Sequence, residues 1–289
     1  STVVPPSYTG AAFDGDITQE FVDQMVAEFK DQRRLHKHYA MKILLAVKKI
    51  FDATPSLMTI DIPETWPSGA QGGISVCGDT HGQYYDLLNI FAINGCPGPE
   101  NPYLFNGDYV DRGSFSVENV LTLFAYKVLY PGSLFLTRGN HETKNMNQMY
   151  GFTGEVKAKF DDQVMELFAE VFNSLPLAAA INGKVFVVHG GLFQRDDVTL
   201  AEVAAIPRGR EPPESGIMSD LMWSDPQPFP GRSPSKRGVG QSFGPDVTAK
   251  FLARNGLELL IRSHEVKDEG YLVEHDGKCI TVFSAPNYC

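Results

Sequence analysis

No apolar run in this chain approaches the ~20 residues that a membrane-spanning helix needs, so no span is expected. The opening stretch, Ser1 to Gly10, lacks the apolar core of a secretory signal. Cysteine is scarce: Cys77, Cys96, Cys279 and Cys289 show no paired zinc-finger or redox spacing. A reduced compartment, cytoplasmic or nuclear, is therefore expected. Positive charge is in the minority, with 25 Lys and Arg against 35 Asp and Glu and a formal net charge of −10. That balance argues against nucleic acid or an anionic membrane as the main partner. An anionic substrate stays open, because bound metal ions can reverse the sign locally. There is no internal repeat and no low-complexity tract.

What is present is enough apolar material for a sizeable core: 43% of the 289 residues are hydrophobic and 11% aromatic. Length alone suggests two domains of ~150 residues. Candidate ligands running from Asp79 to His264 argue for one, since any cut between them would divide a single pocket. Residues 1–16 read as a linker or chain start, and 17–289 as one catalytic domain with a helical lead-in over 17–53. Phe21, Met25, Val26 and Phe29 form one apolar stripe of that lead-in; Tyr39, Ile43, Leu44, Val47 and Phe51 form a second. Lys30 to Lys37 between them reads as a break. Gln83–Ile93, Val117–Leu129 and Val156–Phe172 carry helical periodicity. Pro207–Pro245, rich in Gly, Pro and Ser, reads as a long irregular binding loop. Gly270–Phe283 reads as a strand pair turning at His275-Asp276-Gly277.

Five short apolar runs each turn abruptly polar: ISVCGDTHG, YLFNGDYVDRG, LFLTRGNHE, VFVVHGG and LLIRSHE. Such strand ends aim their loops at one rim of a sheet, where α/β folds bind ligands. The polar residues delivered there are Asp79, His81, Asp108, Asp111, Arg112, Asn140, His141, His189 and His264. Alone, each is a turn residue, a cap or an interior histidine; five such ends together predict a metal-rich pocket. Oxygen and nitrogen ligands without cysteine suit Mn, Fe or Zn. There are enough of them for two ions, with Asp108 from the middle strand as the bridge. His36, His38 and His275 read as structural.

GDTHG, GDYVDRG, GNHE, HGG, RSHE and SAPNYC, in this order over about Ile74 to Cys289, resemble the signature blocks of the PPP-family serine/threonine phosphatases. The resemblance implies an α/β metallophosphoesterase-type fold, a central β-sandwich flanked by helices with the metal site at the strand ends. It implies one divalent ion on Asp79, His81 and Asp108, and a second on Asp108, Asn140, His189 and His264. Asp111 and His141 would be the acid pair, Arg112 and Arg237 would grip phosphate, and Asn145 and Tyr288 would line the pocket. The implied reaction is single-step hydrolysis of phosphoserine and phosphothreonine in proteins by hydroxide activated between two metals, without a phosphoenzyme. Other blocks, including RGNHETKNMNQMYGF and SKRGVG, resemble a branch whose members bear an N-terminal tetratricopeptide domain that binds heat-shock chaperones. The chain is thus expected to be an excised catalytic domain of such a parent. A metallophosphodiesterase or nucleotide phosphatase, and a catalytically inactive phosphoprotein-binding module, remain as alternatives.

Overall fold

A computed structural model describes residues 3–289. Two helices, α1 (Gln19–Lys30) and α2 (Lys37–Asp52), form the lead-in, separated at the expected break. Thr18 starts α1 by accepting the Phe21 N–H through its side chain, a normal N-cap. Of the stretch read as a linker, residues 1 and 2 lie outside the described residues. The rest is irregular but packed: Ala11 N–H donates to the Glu28 carboxylate at 3.0 Å, and Lys42 Nζ donates to the Phe13 carbonyl.

Strand β1 (Leu57–Ile60) is followed by a βαβαβ run: β2 (Ser75–Cys77), α3 (Tyr84–Asn94), β3 (Tyr103–Phe105), α4 (Ser116–Leu129) and β4 (Leu134–Leu136). These three strands pair parallel in the order β2-β3-β4. Helices α5 (Lys144–Tyr150), α6 (Phe152–Lys159) and α7 (Asp162–Ser174) follow, then β5 (Ala178–Ile181) and β6 (Val185–Val188). The chain closes with α8 (Leu200–Ala204), α9 (Ile217–Trp223), β7 (Asp225–Pro226), β8 (Arg232–Pro234), β9 (Gln241–Phe243), α10 (Pro245–Arg254), β10 (Leu259–Arg262), β11 (Tyr271–Glu274) and β12 (Cys279–Val282). A six-stranded mixed sheet runs β1-β5-β6-β10-β12-β11, and a small one runs β7-β9-β8.

Side-chain alternation along the strands builds the layers. On β3, Tyr103 and Phe105 join the core under α1–α4 and α7, while Leu104 joins Met58, Ile60, Ala179 and Val187 between the two sheets. On β6, Phe186 and Val188 turn the other way, to Val203, Met222 and Phe251 of the second helical layer. The result is helices, a three-stranded sheet, a six-stranded sheet and helices: the expected flanked sandwich. Among the described residues no helix is long and apolar enough to cross a membrane.

Two local expectations are corrected. Val156–Phe172 is not one helix. It breaks at Phe160, and the Asp161 carboxylate accepts the Val164 N–H and starts α7 anew. Pro207–Pro245 is not all irregular, for it holds α9 and the small β7-β9-β8 sheet. His275 does sit at the hairpin turn, yet it is buried, bonding Thr248 Oγ1 through Nδ1 and the Gln227 carbonyl through Nε2.

One side chain joins the sheets at their shared rim. Asn106, fully buried just after β3, donates to the Val188 carbonyl at 2.8 Å and to Ser263 Oγ at 3.0 Å; its oxygen accepts from Thr137 Oγ1 at 2.8 Å. These partners follow or end β6, β10 and β4. Replacing Asn106 by Ala leaves three buried groups unpaired and should cost about 2–4 kcal/mol. Urea unfolding should show a lower midpoint at an unchanged slope; an unchanged midpoint would remove the inter-sheet role.

Candidate metal centre and phosphate pocket

The loops after β2, β3, β4, β6 and β10 meet in one place. Asp79, His81, Asp108, Asn140, His141 and His264 line a cavity of about 620 Å³, together with Arg112, Arg237, Trp223 and Tyr288. His189 does not line it but is fully buried beside Asn140, with Nε2 3.0 Å from the amide oxygen. The approach is tight enough to strain the backbone: His81, Asp108, Asp111, Arg112 and His264 all have φ between 41° and 75°. Non-glycine residues rarely adopt this left-handed region, and such strain collects at functional sites. Gly78 is required as well, because a Cβ there would lie 2.0 Å from the Val282 carbonyl oxygen.

The ring nitrogens are already sorted. His81 Nδ1–H donates to the Val110 carbonyl at 2.9 Å, and His189 Nδ1–H to that of Asn106 at 2.6 Å. Their Nε2 atoms therefore face inward. His81 Nε2 lies 3.4 Å from Asp79 and 3.3 Å from Asp108, and His189 Nε2 lies 3.2 Å from Asp108. The Asn140 side-chain oxygen lies among acceptors, His264 Nδ1 at 3.2 Å and Asp108 Oδ2 at 3.2 Å, and its one available donor is His189 Nε2 at 3.0 Å while that ring keeps its proton. His264 Nε2 is buried without any partner. Turning the Asn140 amide would relieve part of this crowding; a cation among these atoms would relieve all of it, with His264 Nδ1 as the facing nitrogen. Oxygen and imidazole donors suit divalent Mn, Fe or Zn. The residues present thus fit a dinuclear metal centre around Asp108.

Protons take the cation's place otherwise. Burial lowers the His189 pKa, but the charges of Asp108 and Asp79 overcome it and raise it to about 9. His81, likewise opposed by burial, is held well above its usual range by Asp108 and Asp79. Burial pushes Asp108 upward, and His189 and His141 bring it well below the carboxylate range. His264 moves the other way, kept low by burial and by the positive charge of His189 and Arg237.

Beside this cluster, Asp111 Oδ2 accepts His141 Nδ1–H at 2.8 Å. Arg112 lies 4.1 Å over the Tyr150 ring. Arg237 is held by Asp225 at 2.7 Å and donates to the His264 carbonyl at 3.0 Å. Both guanidinium groups border the cavity, as the resemblance implies. Tyr288 stacks on His81 with ring centroids 5.0 Å apart. Asn145 is the exception, exposed on α5 and not among the residues that border the cavity. Met146 and Tyr150, four residues apart on the same helix face, line it instead.

Sequence reading missed the supports. Glu142 is fully buried and accepts backbone N–H bonds from Asp108 at 2.7 Å, Gly139 at 2.9 Å and Tyr109 at 3.0 Å. Burial and the Asp108 charge push its pKa to about 8, whereas three donors favour the carboxylate. The donors decide once a cation offsets Asp108. Arg262, also fully buried, holds Asp225 at 2.6 Å, and with it the grip on Arg237. Glu142 follows His141 directly in GNHE, and only that adjacency could have flagged it.

Residues 73–268, which include every candidate ligand, match the family model described as calcineurin-like phosphoesterase. Residues 1–59 match one described as PPP5 TPR repeat region. The chain is 62% identical to serine/threonine-protein phosphatase 5 of Arabidopsis thaliana over 99% of its own length and 52% of the relative's. It is 57% identical to the human protein of that name over 100% of its length and 57% of the relative's. The chain thus spans about half the length of the curated relatives it matches. Among solved structures, a protein serine/threonine phosphatase from Saccharomyces cerevisiae with similarity to human phosphatase PP5 superposes with a TM-score of 0.90 at 44% identity, covering 94% of this chain and 85% of that one. Shared sequence, shared fold and an inward-facing ligand set coincide on the same residues, and the chain belongs to the calcineurin-like phosphoesterase family, in its PPP serine/threonine phosphatase branch.

Proposed function

We propose that the chain hydrolyses phosphoserine and phosphothreonine in proteins, with two divalent ions, Mn, Fe or Zn, held by the residues around Asp108. The observation that carries this reading is the Asp111–His141 pair, 2.8 Å apart, beside the ligand cluster in a cavity bordered by Arg112 and Arg237. Asp79, His81 and Asp108 would hold one ion, and Asp108, Asn140, His189 and His264 the other. When bound, the ions supply positive charge that polarises the phosphoryl group and lowers the pKa of water.

The protein's own groups do the rest. Arg112 and Arg237 present planar forks that suit phosphate oxygens. Tyr150 beneath Arg112 and Asp225 beside Arg237 hold both forks in place before substrate arrives. His141 has its Nδ1 occupied by Asp111, so Nε2 is the nitrogen free to protonate a leaving seryl oxygen. Tyr288 and Trp223 wall the cavity with aromatic surface. No cysteine or serine lines it among the described residues, and burial raises the nearby Cys77 thiol to about 12, out of nucleophilic range. These features support direct transfer to water without a phosphoenzyme. The likeness of residues 1–59 to the region described above supports a parent protein bearing a tetratricopeptide domain; heat-shock chaperones as its partners rest on the sequence resemblance alone. Free thiols at Cys77, Cys96, Cys279 and Cys289 suit a cytoplasmic or nuclear setting.

Metal loading should compete with protons. A ligand histidine must be neutral, so at pH 7 binding should expel protons from His189 and His81. The release from His189 should fade as pH rises through about 9. The same raised pKa gives the apoprotein imidazolium–carboxylate stability that is full below the usual 6.5 and is lost as pH rises through about 9. Calorimetry in buffers of different ionisation enthalpy measures the protons; zero release at pH 7 would overturn this protonation scheme.

Asp108→Asn should abolish activity and weaken both ions, whereas Asn140→Ala should weaken one. Elemental analysis of each purified variant decides it, and two tightly held ions in Asp108→Asn would remove the bridging role. His141→Ala should slow a phosphoserine peptide by ~10²–10⁴-fold. An activated aryl phosphate, whose leaving group departs unaided, should suffer far less, with metal content unchanged. Equal losses on both substrates would make His141 a binding group rather than the acid. Faster turnover of a phosphodiester than of the phosphopeptide by the unmodified chain would favour the phosphodiesterase reading.

A further inference from the structure

The pair at the cavity edge has a third member that does not touch the cavity. Asn147, on α5, is 1% exposed and does not line the pocket. Its amide nitrogen donates to Asp111 Oδ2 at 3.1 Å and to the His141 carbonyl at 2.5 Å. Asp111 Oδ2 is the same oxygen that accepts His141 Nδ1–H, and Asp111 Oδ1 accepts the Phe152 N–H at 2.9 Å. Turning the Asp111 carboxylate about its last bond would disturb all three contacts together. The Asn147 side-chain oxygen, by contrast, is buried without a donor. For packing alone, an apolar side chain of that size would leave no oxygen unpaired. What the amide adds is its two donors, and both fall on the two partners.

We propose that Asn147 is a positioning residue for the reaction. It fixes the plane of the Asp111 carboxylate and the backbone of His141, so that the imidazole presents Nε2 to the leaving oxygen. This rests on the reading of His141 as general acid. Asn147 also connects α5 to the chemistry: the helix that gives Met146 and Tyr150 to the cavity wall carries the residue that orients the pair.

The test is a double-mutant comparison in the metal-loaded protein. Asn147→Ala should lower kcat on a phosphoserine peptide roughly tenfold to a hundredfold, the scale of an ångström-size misplacement. KM, metal content and turnover of an aryl phosphate should change by no more than about threefold on the same scale. In a His141→Ala background, Asn147→Ala should have almost no further effect, because the group it orients is gone. An equal further loss in that background, or an equal loss on the aryl phosphate, would overturn the assignment and leave Asn147 a packing residue. Failure of the general-acid reading is separable, because it appears in His141→Ala alone as equal losses on both substrates. If thermal unfolding shows that Asn147→Ala does not fold, Asn147→Leu, which fills the space without donors, takes its place with the same expected and overturning results.

Discussion

Two carboxylates, Asp79 and Asp108, are each 1% exposed, and neither meets a lysine or arginine among the described residues. Burying such charge is among the most expensive things a fold can do unless it is paired. Here the only positive partners are imidazoles, which carry charge only as long as they hold protons. Much of the surrounding structure answers that constraint. Carbonyls at Val110 and Asn106 take the outer nitrogens of His81 and His189, so their inner nitrogens point at the carboxylates. Backbone N–H groups of His141 and His264 donate to Asp108 and Asp79. Cations bound at this spot would replace a proton-dependent balance with a permanent one, which ties metal binding to folding of the rim.

The sandwich serves this rim from both sides. Loops from the three-stranded sheet bring Asp79, Asp108 and Asn140; loops from the six-stranded sheet bring His189 and His264. The two sets are joined by polar atoms as well as by apolar packing. Asn106 joins the sheets at one point. Arg262, on β10, ties the six-stranded sheet to the small β7-β9-β8 sheet through the Gly190 and Ser224 carbonyls, Asp225, Glu265 and Thr281. A polar junction is directional where an apolar one is not, so it sets the relative position of the sheets more narrowly than the leucine and valine layer between them.

The strand ends were legible because each combined an apolar run with an abrupt polar turn, and the motif order supplied the rest. The residues that hold the site were not. Glu142, Asn147, Asn106 and Arg262 carry no local signal of burial; charged and amide residues beside turns ordinarily face water. Their partners lie 30 or more residues away in several cases, such as Asp108 for Glu142 and Val188 for Asn106. Asn145 was misread for a related reason. Position in a motif does not specify a helix face, and one step along α5 turns a side chain by ~100°. The break at Asp161 was legible in principle, as a capping aspartate three residues before the first apolar residue of α7, but continuous periodicity across 156–172 masked it. In the stretch from Pro207 to Pro245, strands of two or three residues are too short for alternation to register.

The left-handed backbone at Asp108 and Asp111 also bears on descent. Positive φ shuts out valine, isoleucine and threonine, whose branched Cβ clashes there, but admits asparagine and glycine. Both of these are one nucleotide away from aspartate codons. A lineage under relaxed selection could therefore lose the charge at either position while the local chain path persisted. Members of such a family that keep the shape and shed the chemistry are within easy mutational reach, whereas β-branched replacements at the same positions would be removed as folding failures before their activity was ever tested.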